Sequence, residues 1–96
     1  MKIHELKPDM RKVTLKGKIA EISEPRDVVT RYGESRVATA VLSDDSGSVK
    51  LSLWNDNIDM VKVNDEVEIE NGYVTVFRGE MQLNVGRFGK LTVTSR

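Results

Sequence analysis

The segment VKLSLW, residues 49–54, alternates without a break: Val49, Leu51 and Leu53 share one parity, and Lys50, Ser52 and Trp54 share the other. Side chains of a strand point to opposite faces with a period of two, so the segment predicts a half-buried strand. Its apolar parity faces a core, which leaves Trp54 outside beside a lysine and a serine. The preceding SDDSGS carries Asp44, Asp45 and Gly47, residues suited to a tight turn, and Arg36–Leu42 before it reads as the partner strand of a hairpin.

Working outward, Val13 to Ile22 is a first strand with Val13, Leu15 and Ile19 inward, Lys16 and Lys18 outward, and Gly17 as a point of bend or bulge. The connection SEPRDVVTRYGES, punctuated by Pro25 and Gly33, is a loop or the tip of a β-ribbon and carries Arg26, Arg31 and Tyr32. After Trp54, NDNIDMVKVNDE has room for a short helical turn but not for a long amphipathic helix. A fourth strand, Glu66 to Phe77, is interrupted by Asn71 and Gly72, and beyond them Tyr73, Thr75 and Phe77 alternate with Val74 and Val76, the better core candidates. A turn at Arg78 to Glu80 leads to a fifth strand, with Met81, Leu83 and Val85 on one side and Gln82 and Asn84 on the other; Leu91 and Val93 suggest a short closing strand. Five or six strands in 96 residues, with a short helical piece after the third, predict an all-β fold, a small barrel.

A chain of 96 residues has room for one ordinary core, so a single domain over residues 1–96 is expected. With no cysteine, neither a disulfide framework nor a thiolate zinc site supplements that core, and the composition suits a reducing, cytoplasmic compartment. No segment has the apolar length of a signal or a membrane span, so no membrane association is expected. The formal net charge of zero argues against binding by bulk electrostatics alone. The distribution is uneven: Lys/Arg against Asp/Glu number nine to six in residues 1–40, two to eight in 41–71, and four to one in 72–96. A fold that set the two basic segments beside one groove, with the acidic one turned away, would present a positive surface.

In a small barrel the interior takes one parity of each strand, which puts Trp54, Tyr73 and Phe77 outside. Outward aromatics beside Lys16, Lys18, Lys50, Arg78 and Arg87 are what a single-stranded nucleic acid needs, because each unpaired base has a flat face to stack and cations attract phosphate. Aromatics in strands also serve cross-strand packing, and the pattern alone leaves both roles open. Arg31 and Arg36 flank the first hairpin, where an arm can close over a strand, and Gln82 and Asn84 share the platform side as hydrogen-bonding groups for bases or sugars. Tyr32 reads as a turn residue and Phe88, between Gly86 and Gly89, as edge packing.

Catalytic machinery is not visible. His4 is the single histidine and has no local partner, and the turn carboxylates lack the spacing of a calcium loop. No phosphate-cradling glycine motif occurs, so the expectation is no catalytic residue, no metal and no cofactor.

VKLSLW (Val49 to Trp54) and NGYVTVFRGEMQLNVG (Asn71 to Gly86) resemble the single-OB single-stranded DNA-binding proteins of archaea. They are also similar to the family's eukaryotic relatives in the sensor-of-ssDNA complex and to the OB domains of archaeal replication protein A. ELKPDMRKVTLKGKIAEISEPR resembles that family's first strand and its LKP entry, and DDSGSVKLSLW the hairpin into its third, so the likeness spans nearly the whole chain. The resemblance implies a five-stranded OB-fold barrel with a short helical segment between strands 3 and 4, and base stacking on Trp54, Tyr73 and Phe77. Asn84 stands where some relatives carry a further aromatic, and the chain stops at Arg96 where full-length archaeal relatives often continue into a partner-recruiting tail. The chain therefore lacks that function or is one domain of a longer protein.

The expected function is binding of single-stranded DNA with little sequence preference, in replication, repair or recombination. Trp54, Tyr73 and Phe77 stack bases, and Lys16, Arg31, Arg36, Lys50, Arg78, Gln82, Asn84 and Arg87 make backbone or polar contacts. RNA is the alternative ligand, and a protein-docking or oligomerisation module the alternative class. Protein partners would be other replication or repair proteins, and the location the cytoplasm, at the nucleoid.

Overall fold

The computed structural model of the chain describes residues 1–31, 33–85 and 89–95. Seven strands form: β1 (Val13–Ile22), β2 (Arg26–Thr30), β3 (Gly33–Asp44), β4 (Gly47–Trp54), β5 (Glu66–Phe77), β6 (Glu80–Asn84) and β7 (Lys90–Val93). A 3-10 turn spans Ile3–Glu5, and a short helix, α1, spans Asp56–Met60 between β4 and β5. Five strands close on themselves in the order β1, β3, β4, β6, β5 and back to β1, while β2 extends β3 and β7 lies against β5. All pairs are antiparallel except β4 with β6, which run parallel through Lys50–Gln82, Leu51–Leu83 and Ser52–Asn84.

The all-β expectation holds, and the short helix falls where it was expected. The count of five strands fits the closed ring but omits two. The segment expected to be a loop or ribbon tip is the ribbon: Arg26 pairs with Val37 and Thr30 with Gly33, so β3 begins three residues before Arg36. The short closing strand forms as β7.

The inward parity is as the alternation requires. Ile19, Leu42, Leu51, Leu53, Ile69 and Leu83 are fully buried, each worth about 1.5–3 kcal/mol over an exposed position. Val76 departs from expectation at 49% exposure, against 2% for Val74. The last bond from this part of β5 toward the body of the fold runs from the Val74 amide to the Met10 carbonyl, and the β5–β6 hairpin projects beyond it.

β1 serves two partners, Val13 to Lys18 against β5 and Lys18 to Ile22 against β3, with a register shift on each side. The turn of the strand occurs at Gly17, where an added Cβ would lie 2.8 Å from Leu42 Cγ and 2.9 Å from the Ser43 carbonyl oxygen. Only glycine lets β3 approach that closely.

The β3–β4 turn also holds the N-terminal segment. Asp44 Oδ1 accepts from the Ser46 amide (2.7 Å) and hydroxyl (2.6 Å) and the Gly47 amide (3.1 Å), while Oδ2 accepts from the Ile3 amide (2.9 Å). Ile3 and Leu6 thereby enter the core. These hydrogen bonds, led by that of the Ser46 hydroxyl, hold the Asp44 carboxyl at about 2, below the ordinary carboxylate range. An unfolded chain takes up this proton near pH 4, so the stabilisation is intact above about pH 4 and is lost as the pH falls toward 2. A urea-denaturation series across this window should show an acid loss of stability that is smaller in Asp44→Asn.

Phe77 and Glu80 pair across a two-residue turn, Arg78-Gly79, in which both central residues have positive φ, 53° and 81°. Such turns prefer Asn-Gly, because the left-handed region costs about 1 kcal/mol for most residues with a Cβ and less for asparagine, whose short polar side chain hydrogen-bonds locally. The Arg78 guanidinium carbon lies over the Phe77 ring, 5.2 Å from its centroid, an exposed contact worth about 0.5 kcal/mol. The turn strain is the larger effect, so Arg78→Asn should gain ~0.5 kcal/mol, seen as a rise of about 2–4 °C in melting temperature. A fall would mean that the guanidinium–ring contact outweighs the strain.

Candidate nucleic-acid interface

The pairings of β3, β4, β6 and β5 align their outward residues in rows. One row runs Thr39, Ser52, Asn84, Tyr73, and the next Val41, Lys50, Gln82, Thr75. Trp54 stands opposite Val37 at one end, and Phe77 opposite Glu80 at the other. At about 3.3 Å per residue and 4.8 Å between strands, Tyr73 lies some 12–13 Å from each of the other two aromatics. Tyr73 is 40% and Phe77 58% exposed, while Trp54 is half-buried. Core packing is therefore not what holds Tyr73 and Phe77.

The floor between the aromatics is polar and internally bonded. The Asn84 amide nitrogen donates to Thr75 Oγ1 (3.0 Å) and to the carbonyls of Gln82 (3.3 Å) and Tyr73 (3.4 Å). Two of these acceptors are backbone carbonyls, so the side chain has one orientation, with Oδ1 turned from them. Asn84 is buried and ties β5 to β6. The Ser52 hydroxyl lies 3.4 Å from Gln82 Oε1.

Trp54 is held by the residue after it. Asn55 has φ 50° and ψ −120°, an unfavourable region for any residue with a Cβ. Its amide donates to the Arg36 carbonyl (2.9 Å), and its Oδ1 accepts from the Arg36 amide (3.0 Å). The side chain thus completes the β3–β4 ladder, which frees the Asn55 carbonyl to accept from the Ile58 amide and start α1.

Beside the aromatic rows, Val37, Thr39, Val41 and Lys50 line a cleft of about 450 Å³ closed by the end of β1 and by Arg26. Thr39 and Val41 were missed in the sequence, where their parity, opposite to that of Ala38, Ala40 and Leu42, was the available signal.

The cations are dispersed. Lys50 lies on the face and its Nζ pairs with Glu80 at 2.8 Å. Arg36 has the parity of Ala38, not of Val37, and its guanidinium bonds Asp59 of α1 at 2.8 Å. That hydrogen bond, with the charges of Asp59, Asp27 and Asp56, raises its pKa. Lys16 stands opposite Glu68 and Lys18 opposite Glu66, on the β1–β5 side away from the aromatic rows. The acidic segment is thus interleaved with the basic ones instead of turned away from them. Arg31 is exposed at the ribbon tip, and Arg78 lies at the hairpin turn. Arg87, with Tyr32 and Phe88, lies outside the described residues. Among the described residues there is no cluster of three or more metal-ligating side chains, and no helix is long and apolar enough to cross a membrane.

A closed ring of short strands with an open aromatic and polar face across β3, β4, β6 and β5 defines an OB-fold protein. Residues 6–93 match the family described as "Single-stranded DNA binding protein Ssb-like, OB fold", and the chain belongs to it. It is similar to the single-stranded DNA binding protein Ssb of Saccharolobus solfataricus, 36% identical over 98% of this chain and 64% of that protein. It is also similar to replication factor A of Methanothermobacter thermautotrophicus, 33% identical over 98% of this chain and 13% of that protein. The chain therefore spans less than two thirds of either curated relative. The solved second OB-fold domain of replication protein A from Methanococcus maripaludis superposes with a TM-score of 0.82 at 24% identity, over 100% of this chain and 95% of that one.

Proposed function

We propose that the chain binds single-stranded DNA without chemistry of its own, stacking unpaired bases on Trp54, Tyr73 and Phe77. The observation that carries this is the outward row geometry, with Tyr73 and Phe77 exposed on a sheet face that has a polar floor. The named function of the family and of its Saccharolobus member supports the same ligand. Each stacked base contributes about 1–3 kcal/mol, so three platforms suffice for binding by a chain of zero formal charge. Lys50, Arg78 and Arg26 are the cations beside this path, with Arg31 farther out at the ribbon tip, and Gln82 is the polar side chain that reaches bases. Asn84 supports the floor. One domain of this size covers about 4–5 nucleotides. Residues 1–96 act as one module, in replication, repair or recombination at the nucleoid, and RNA is the alternative ligand.

Trp54 is the single tryptophan, so its fluorescence reports the proposed platform directly. Titration with short oligo-dT should quench it saturably, more weakly in high salt, and a duplex of equal length should not. Competition between DNA and RNA oligonucleotides of equal sequence separates the two ligands. Unchanged fluorescence together with unchanged anisotropy of a labelled oligo-dT would refute the proposal.

A further inference from the structure

Glu80 is the one carboxylate among the outward residues of β4, β6 and the β6-paired half of β5. It faces Phe77 across the hairpin, and its Oε2 lies 2.8 Å from Lys50 Nζ. The two side chains are 58% and 46% exposed, so the pair is weakly held in water and a phosphate can replace the carboxylate. Lys50, but not Glu80, also lines the cleft beside the aromatic rows, together with Glu21, Glu24 and Arg26, so the lysine sits where the aromatic face and the cleft meet.

Resting on the single-strand reading above, we infer that Glu80 determines specificity: it neutralises Lys50 and repels phosphate, so that phosphate attraction alone does not hold a nucleic acid on this face. Only a ligand that also offers unpaired bases overcomes the carboxylate. A duplex brings one charge per about 1.7 Å of axis, twice the density of one strand, and keeps its bases inside the stack. It meets the larger repulsion and gains no stacking. The neutral pair also lowers salt dependence, because a lysine already countered by the protein contributes little to net ion release.

Glu80→Gln keeps the length and shape of the side chain and removes the charge. In anisotropy titrations of labelled oligo-dT and of a duplex, across a salt series, the variant should bind oligo-dT about two- to five-fold more tightly at low salt. Its slope of log affinity against log salt should steepen by about 0.7. Duplex affinity should rise by a larger factor, so the single-strand preference falls. The gain should vanish in Glu80→Gln combined with Lys50→Gln. Unchanged or weaker oligo-dT binding at an unchanged melting temperature would overturn the inference, as would a gain that persists without Lys50. If the unsubstituted chain binds no oligo-dT, it is the proposed function that fails.

Discussion

Trp54→Ala is expected to weaken binding to oligo-dT by about ten- to a hundred-fold, the loss of one stacked base. Trp54 ends β4, outside the core and opposite Val37, while its neighbour Leu53 is fully buried. Truncation therefore removes the platform and uncovers Val37 but opens no internal cavity, and stability should fall by only about 1 kcal/mol. Anisotropy of a labelled oligonucleotide reads the affinity, since the tryptophan is gone, and a thermal melt reads the fold. A variant that melts normally and binds as before would remove Trp54 from the site.

Asn55→Ala should cost about 2–3 kcal/mol, although the residue is exposed. The backbone conformation accounts for about 1–2 kcal/mol, because positive φ is strained for every residue with a Cβ but less so for asparagine, whose short polar side chain bonds locally, than for alanine. The lost acceptor for the Arg36 amide accounts for about 1 kcal/mol. Asn55 occupies the cap position of α1 yet makes no capping bond, its oxygen being committed to β3 instead. Asn55→Gly separates the two effects, since it accepts the backbone angles but supplies no oxygen, and should lose about 1 kcal/mol. Urea denaturation of both variants measures the difference, and equal losses would show that conformational strain plays no part.

The aromatic face was legible because parity is a local property. Val49, Leu51 and Leu53 inward forces Trp54 outward, and the same logic places Tyr73 and Phe77. Val76 was not legible, because parity names a face but not where the body of the fold ends. β2 was legible only as one of two readings, a loop or a ribbon tip, because Pro25 and a mixed composition blur it; it exists because β3 offers an edge to pair with. The charges were least readable. That Lys16 stands across from Glu68, Arg36 bonds Asp59 and Lys50 bonds Glu80 depends on contacts between residues far apart in the chain. The role of Asn55 was hidden for the same reason, since in sequence it is a turn residue like any other.

The parallel seam between β4 and β6, three residue pairs long, joins residues some thirty positions apart. Parallel pairs are the weaker kind, and this one also has a loop of that length to close. The seam is also the shortest pairing of the ring, and its amides should exchange with solvent sooner than those of the β3–β4 hairpin. Ser52, Asn84, Lys50 and Gln82 lie directly over it. An oligonucleotide laid across that face, as proposed, would act as a clasp, and slower amide exchange in these few residues would be the record of its hold.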